Sequence, residues 1–314
     1  MTKRIEWIDV AKAIGIVLVV YGHVILGLHD SGIWKASQNY DWQHSIIYST
    51  HMPLFFFLSG IFAVRWVERP AKKAIGQKLR TLIVPYFIWG FVQAVVMQVF
   101  AKSTNNGQGL GNALQLPWIP YAQFWFLYDL FWMFLVYYLI IHVFHWPFLS
   151  LLIFSFLFFG ISPFLNFWEF WRIGYYFVFF LLGTKVLSLG YYLDKMNPIV
   201  DFILFILLQV AYFELDLSKF WHNVFSFFVA MVGIFVIIHL AKYVNHRAVD
   251  YIGQKSMVIY VLHIMFTAGS RIFLAKVGLD NLYFQGIVGL FLGILGPLVV
   301  YQVVRKVNLD RYLF

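Results

Sequence analysis

Lys12 and His23 lie inside the first long apolar run of the chain, WIDVAKAIGIVLVVYGHV, where lipid makes an ionisable side chain costly enough that a functional site is the default expectation. Eleven residues at 100° each sweep about 1100°, roughly 20° beyond three full turns, so on a helix the two side chains share a face about 16 Å apart. Asp9 stands one turn before Lys12 on nearly the same face. A polar stripe of this kind is a path for chemistry or for a substrate. In the second apolar segment, HSIIYSTHMPLFFFLSGIF, His51 falls about 10 Å below the outer end of its helix and His23 about 7 Å below the outer end of the first, so two imidazoles can converge at matching depth. His51 taken alone reads equally well as an interhelical hydrogen bonder. In YIGQKSMVIYVLH, Ser256, Tyr260 and His263 recur at i, i+4 and i+7, a single polar stripe that either holds a ligand or joins helices. Asp129, in QFWFLYDLFW with Trp125, is a candidate buried carboxylate that pairs with a base or orients a histidine.

Other chemistries find little support. The chain has no cysteine, which removes disulfides, thiolate nucleophiles and thiol-ligated metals together. The pair in HVFH at 142–145 has helical spacing but sits beside a turn, and no His or carboxylate group forms a compact ligand motif, so no catalytic metal is expected.

The elements that must position these residues are membrane helices. Of 314 residues, 62% are hydrophobic and 12% charged, half the charged share of a soluble domain, about 25%. The pattern predicts an all-α polytopic protein of about ten spans, near 6–28, 44–66, 81–101, 122–143, 147–165, 172–189, 198–215, 221–241, 256–275 and 285–305, in one domain over 1–314. The first run is long and carries Asp9 and Lys12, so it reads as a retained span, not a cleaved signal. With both termini cytoplasmic, sixteen Lys and Arg fall on the cytoplasmic side (among them Lys3, Arg4, Lys78 and Arg80) and six on the other, at 35, 102, 172, 219, 271 and 276. That bias favours this orientation. The formal net charge of +9 then reports cytoplasmic loops and contact with anionic lipid headgroups, and nucleic acid is not an expected partner. The basic loop at 65–80, RWVERPAKKAIGQKLR, serves topology and headgroups, or grips a phosphorylated cytosolic substrate. Pro53 and the Ser59-Gly60 pair are expected to bend the second helix and admit a close neighbour. The outward loops at 29–43 and 102–120 are rich in Gly, Asn and Trp, and DNLYFQG at 280–286, although it looks like a protease tag site, leads into the last span and reads as native sequence. No oligomeric state is readable.

Taken together, the basic-x10-histidine pattern from Lys12 to His23, HMPLFFFLSG, KLRTLIVPYF with Arg80 and Pro85, QFWFL around Trp125 and the terminal S-x3-Y-x2-H of Ser256, Tyr260 and His263 resemble the acyltransferase-3 family of bacterial membrane O-acyltransferases, in its fucose O-acetylase-like branch. The resemblance spans the chain. It implies a multi-pass protein of the bacterial cytoplasmic (inner) membrane that moves an acetyl group from cytoplasmic acetyl-CoA to a sugar hydroxyl of an extracytoplasmic polysaccharide or lipid-linked glycan precursor. His23 is implied as the catalytic histidine, acting as general base or acyl carrier, with Asp9 and His51 as its candidate helpers. Lys12, Lys78, Arg80, Ser256, Tyr260 and His263 are the candidate donor-binding residues, and Trp125 and Asp129 the candidates for the acceptor. Lys12 stands where many members have Arg, which keeps the charge and loses the planar fork. The rival readings are a transporter of a sugar, lipid or proton-coupled solute, against which no internal repeat is evident, and a non-catalytic subunit of a polysaccharide exporter.

Overall fold

The structure is a computed structural model that describes residues 5–99, 110–190 and 195–314. Lys3, Arg4 and Lys102 of the charge count, and 102–109 of the outward loop, lie outside the described residues. The described elements are helices: α1 (Glu6–Asp30), α2 (Gln38–Val67), α3 (Ala71–Lys78), α4 (Val84–Val99), α5 (Trp125–His142), α6 (Phe148–Ile161), α7 (Phe170–Gly183), α8 (Pro198–Glu214), α9 (Lys219–Tyr243), α10 (Arg247–Gln254), α11 (Ser256–Lys276) and α12 (Leu282–Lys306). A π-turn (Leu79–Ile83) joins α3 to α4, and a 3-10 turn (Ala122–Phe124) leads into α5. Among the described residues there is no strand.

Among the described residues, seven stretches are long and apolar enough to cross a membrane: Glu6–Asp30, Gln38–Val67, Ala71–Val99, Ala122–His142, Lys219–Tyr243, Ser256–Lys276 and Leu282–Lys306. The chain is an all-α, multi-pass membrane protein. The other three predicted spans form the shorter helices Phe148–Phe164, Phe170–Gly183 and Pro198–Glu214, the last of 17 residues. At 1.5 Å per residue that length covers about 25 Å, less than the ~30 Å hydrocarbon core. The stretch expected as a basic loop over 65–80 is mostly helical: α2 runs on to Val67 and α3 opens at Ala71, directly behind Pro70, whose fixed φ suits a helix start.

The chain folds as two compact units, one of Met1–Lys12, Tyr48–Leu79 and Asp129–His246, the other of Ala13–Ile47, Arg80–Tyr128 and Arg247–Phe314. In the first unit α2 continues through Pro53 and meets α7 backbone to backbone. A Cβ on Gly60 would collide with the carbonyl oxygen of Phe180, and one on Gly183 with that of Phe57, so neither position accepts a side chain. Edge-to-face rings close around this seam, Trp66 on Phe134 at 4.9 Å and Phe134 on Phe180 at 5.0 Å. Asp201 of α8 lies 3.1 Å from His239 of α9, which sets two ionisable groups side by side inside the helix bundle.

In the second unit glycines on α12 bring three helices together. A Cβ on Gly293 would stand 2.6 Å from both Val20 of α1 and Thr267 of α11, and one on Gly289 would press on Val24. The missing side chains let the second half of α1 lie against α11 and α12. The start of α12 is fixed by Asn281, whose Oδ1 accepts from the Phe284 amide at 3.0 Å, so DNLYFQG forms a helix cap and first turn.

Candidate active site

Seating α1 beside α11 brings His23 to His263, with ring centroids 5.0 Å apart and planes at 51°. His263 is fully buried. Its Nδ1 lies 2.7 Å from the Tyr260 carbonyl oxygen and 3.2 Å from that of Ile259, so Nδ1 carries the proton and donates to the backbone. Nε2 is then left with a lone pair, buried and without a hydrogen-bond partner among the described residues. His23 is only half-buried. Its ring opens into a cavity of about 140 Å³ whose wall also includes Asp30, Met97, Thr267, Arg271 and Gln285.

The histidine pair is held from behind by a polar chain. The Tyr260 hydroxyl donates to the Gln123 carbonyl oxygen, and Phe126 packs edge-on against the Tyr260 ring at 5.6 Å. Gln123 exchanges amide hydrogen bonds with Gln93 of α4 at 2.7 and 3.1 Å. Ala122, at φ 46°, takes the left-handed conformation that turns the chain into this contact. The two amides satisfy each other in a buried place, where a single one would be costly. Tyr260 thus spends its hydroxyl on fixing α11, while Ser256 stands half-buried at the first position of that helix.

Arg80 is exposed on the π-turn, where Nη2 donates to the Arg311 carbonyl oxygen at 3.3 Å. Half-buried Trp125 begins α5 and packs edge-on to Phe126. The other predicted site residues belong to the first unit. Asp9 and Lys12 pair at 3.8 Å, and the Lys12 ammonium lies 4.7 Å from the centre of the Phe62 ring. His51 is buried, edge-on to Tyr48 at 5.0 Å. Lys78 does not face outward from a loop: its ammonium rests 3.3 Å above the Phe134 ring, with Trp66 on its other flank at 5.8 Å. Asp129 is fully buried, and neither carboxylate oxygen has a hydrogen-bond partner among the described residues. The charges that act on it are those of Glu169 and Arg172, themselves paired at 2.5 Å. Among the described residues no group of three or more His, Asp or Glu side chains is placed to hold a metal ion. Gln93, Gln123, Arg271 and Gln285 were not singled out as site residues from the sequence. The signal for the first two was a glutamine inside an apolar run, which lipid penalises unless it is paired.

No curated protein and no solved structure matches this chain. One family model does, described as an acyltransferase domain, over residues 5–302. That match contains α1 with His23, the Gln93–Gln123 pair and α11 with Tyr260 and His263, and it covers nearly the whole chain, which therefore belongs to the acyltransferase-3 family and is a membrane acyltransferase.

Proposed function

We propose that the protein is an O-acetyltransferase of the bacterial cytoplasmic membrane, of the fucose O-acetylase-like kind, with both termini cytoplasmic, acetyl-CoA as donor and a sugar hydroxyl of a polysaccharide or lipid-linked glycan as acceptor. The observation that carries this reading is the placement of His23, which opens into a cavity while a wholly buried histidine of fixed tautomer stands behind it. A base exposed to a pocket on one side and supported on the other suits proton removal from a bound alcohol.

Acetyl-CoA would supply the activated thioester. His23 takes the proton of the acceptor hydroxyl as the oxygen bonds to the thioester carbonyl carbon. The carbon–sulfur bond then breaks, and the departing thiolate is protonated as free coenzyme A, returning His23 to its neutral form. His263 acts as a positioning residue that holds the His23 ring. Arg80, exposed on the π-turn, meets the donor's phosphates. Lys12, three turns before His23 on the unbroken helix α1, steadies the donor's arm, and Asp9 keeps its ammonium in place. Tyr260 supports the site structurally, through the Gln123 carbonyl.

The test is release of free coenzyme A by purified wild-type and His23→Ala protein given acetyl-CoA and mixed glycans from the native host. Release by the wild type alone supports the reading. Equal release by a well-folded His23→Ala protein overturns it, and solute uptake without acetyl-CoA would point to a transporter instead.

A further inference from the structure

The cavity that His23 opens into has a second buried polar group, one that the protein satisfies only on its donor side. Gln285 is 2% exposed, and its Nε2 donates to the Leu279 carbonyl oxygen at 2.8 Å. That bond fixes which way the amide points, and Oε1 remains buried without a partner among the described residues, on the wall of the same cavity. A carbonyl oxygen so placed asks for a donor. An alcohol supplies one; a carboxylate, a phosphodiester or a thioester group does not.

Arg271 closes the other end. Its guanidinium lies along α1 where Gly27 has no side chain, about 3.4 Å from where a Cβ would be. It walls both the His23 cavity and a wider, open groove of about 670 Å³ formed with Ser31, Ile33, Lys276 and Asp280. The inner cavity, about 140 Å³, is close to the ~150 Å³ that encloses one benzene-sized ring. It holds a base, a hydroxyl acceptor and a planar cation, with the Asp30 carboxylate at its edge, a set matched to adjacent hydroxyls that each donate and accept.

We propose that this cavity is a subsite for one hydroxylated six-membered ring, with Gln285 Oε1 taking one hydroxyl proton and Arg271 donating to a neighbouring oxygen where the ring's substituents pass into the open groove. The assignment of this ring as the acyl acceptor rests on the reading of His23 given above. It makes Gln285 and Arg271 the residues that select the acceptor.

The chain has no cysteine, so a single Ala268→Cys substitution in the cavity wall gives one reporter thiol. The rate of its alkylation by a hydrophilic maleimide is measured in the full-length protein with methyl pyranosides of the gluco, manno, galacto, fuco and rhamno series, and with acetate and dimethyl phosphate. At least one pyranoside should slow alkylation while acetate and dimethyl phosphate do not. Adding Gln285→Leu should weaken that protection about fivefold to tenfold, the worth of one hydrogen bond in a buried place. If the Gln285→Leu protein does not fold, Arg271→Gln carries the test with the same expected loss. No protection by any pyranoside, or protection unchanged in the folded variants, overturns the proposal. Coenzyme A release by wild type and not by His23→Ala, with no protection, would keep the acyl-transfer reading and remove this subsite. Protection without coenzyme A release would keep the subsite and remove the acyl-transfer reading.

Discussion

Replacing His263 with phenylalanine should separate stability from activity, because the imidazole is a poor choice for packing alone. Nε2 is a buried acceptor without a partner among the described residues, and a desolvated acceptor costs about 1–3 kcal/mol. Phenylalanine keeps a flat ring at the site, one ring member larger, and removes that penalty. It also removes the Nδ1–H bond to the Tyr260 carbonyl at 2.7 Å, worth about 0.5–1.5 kcal/mol. That carbonyl is inside α11 and keeps its helical N–H partner, so no new orphan is created. The balance runs from about 0.5 kcal/mol against the variant to about 2.5 kcal/mol in its favour. By contrast, His263→Ala opens a void and should cost on the order of 2–4 kcal/mol. Turnover should move the opposite way in the phenylalanine variant. The two rings stand 5.0 Å apart, and misplacing a reacting group by about 1 Å can cost 10²-fold. Thermal melting in detergent, beside coenzyme A release measured across pH with acetyl-CoA and acceptor, reads both. The expected result is an unchanged or raised melting temperature, kcat down about 10–100-fold, acceptor KM little altered and a displaced pH–rate profile. Full turnover with an unmoved profile, or a melting temperature several degrees lower, would show that His263 is there for the fold.

Three further outcomes follow from other contacts. His23→Ala should keep its melting temperature and lose about 10²–10⁴ in transfer rate, checked by single-turnover acetyl transfer. Arg80→Ala should raise KM for acetyl-CoA with little change in kcat, and Arg80→Lys should recover part of the loss at low salt, because a point charge replaces the planar fork. Gly183→Val forces a side chain against the Phe57 carbonyl, and melting of the purified variant should show a loss of at least about 1–3 kcal/mol, the usual cost of overpacking.

Much of the fold is legible because lipid imposes long apolar helices. The close approach at Gly60 could be foreseen, but not its counterpart at Gly183, since two small residues far apart in the chain meet only through packing. The same limit hid the partner of His23. His51, on the next helix at a similar depth, was the natural local choice, whereas His263 lies 240 residues away and meets His23 because Gly293 and Gly289 let α1 sink against α12. Lys78 reads in sequence as one base of a cationic loop; in the structure α3 turns it onto Phe134, a residue of α5. Arg271 entered the sequence reading only as one of six cations outside the basic face, and Gln285 was concealed in a segment that looked like a cleavage site.

The cap that Asn281 sets on α12 bears on how the protein can be handled. A protease that reads a sequence like DNLYFQG must draw several residues into an extended strand, but here they form a cap and the first turn of a helix, with Gln285 2% exposed. Cutting therefore waits on local unwinding of that turn. A well-seated molecule should pass through tag removal whole, while a misfolded one is severed within the first turn of its last span. The fraction of full-length chain that survives digestion becomes a direct count of molecules in which α12 is in place.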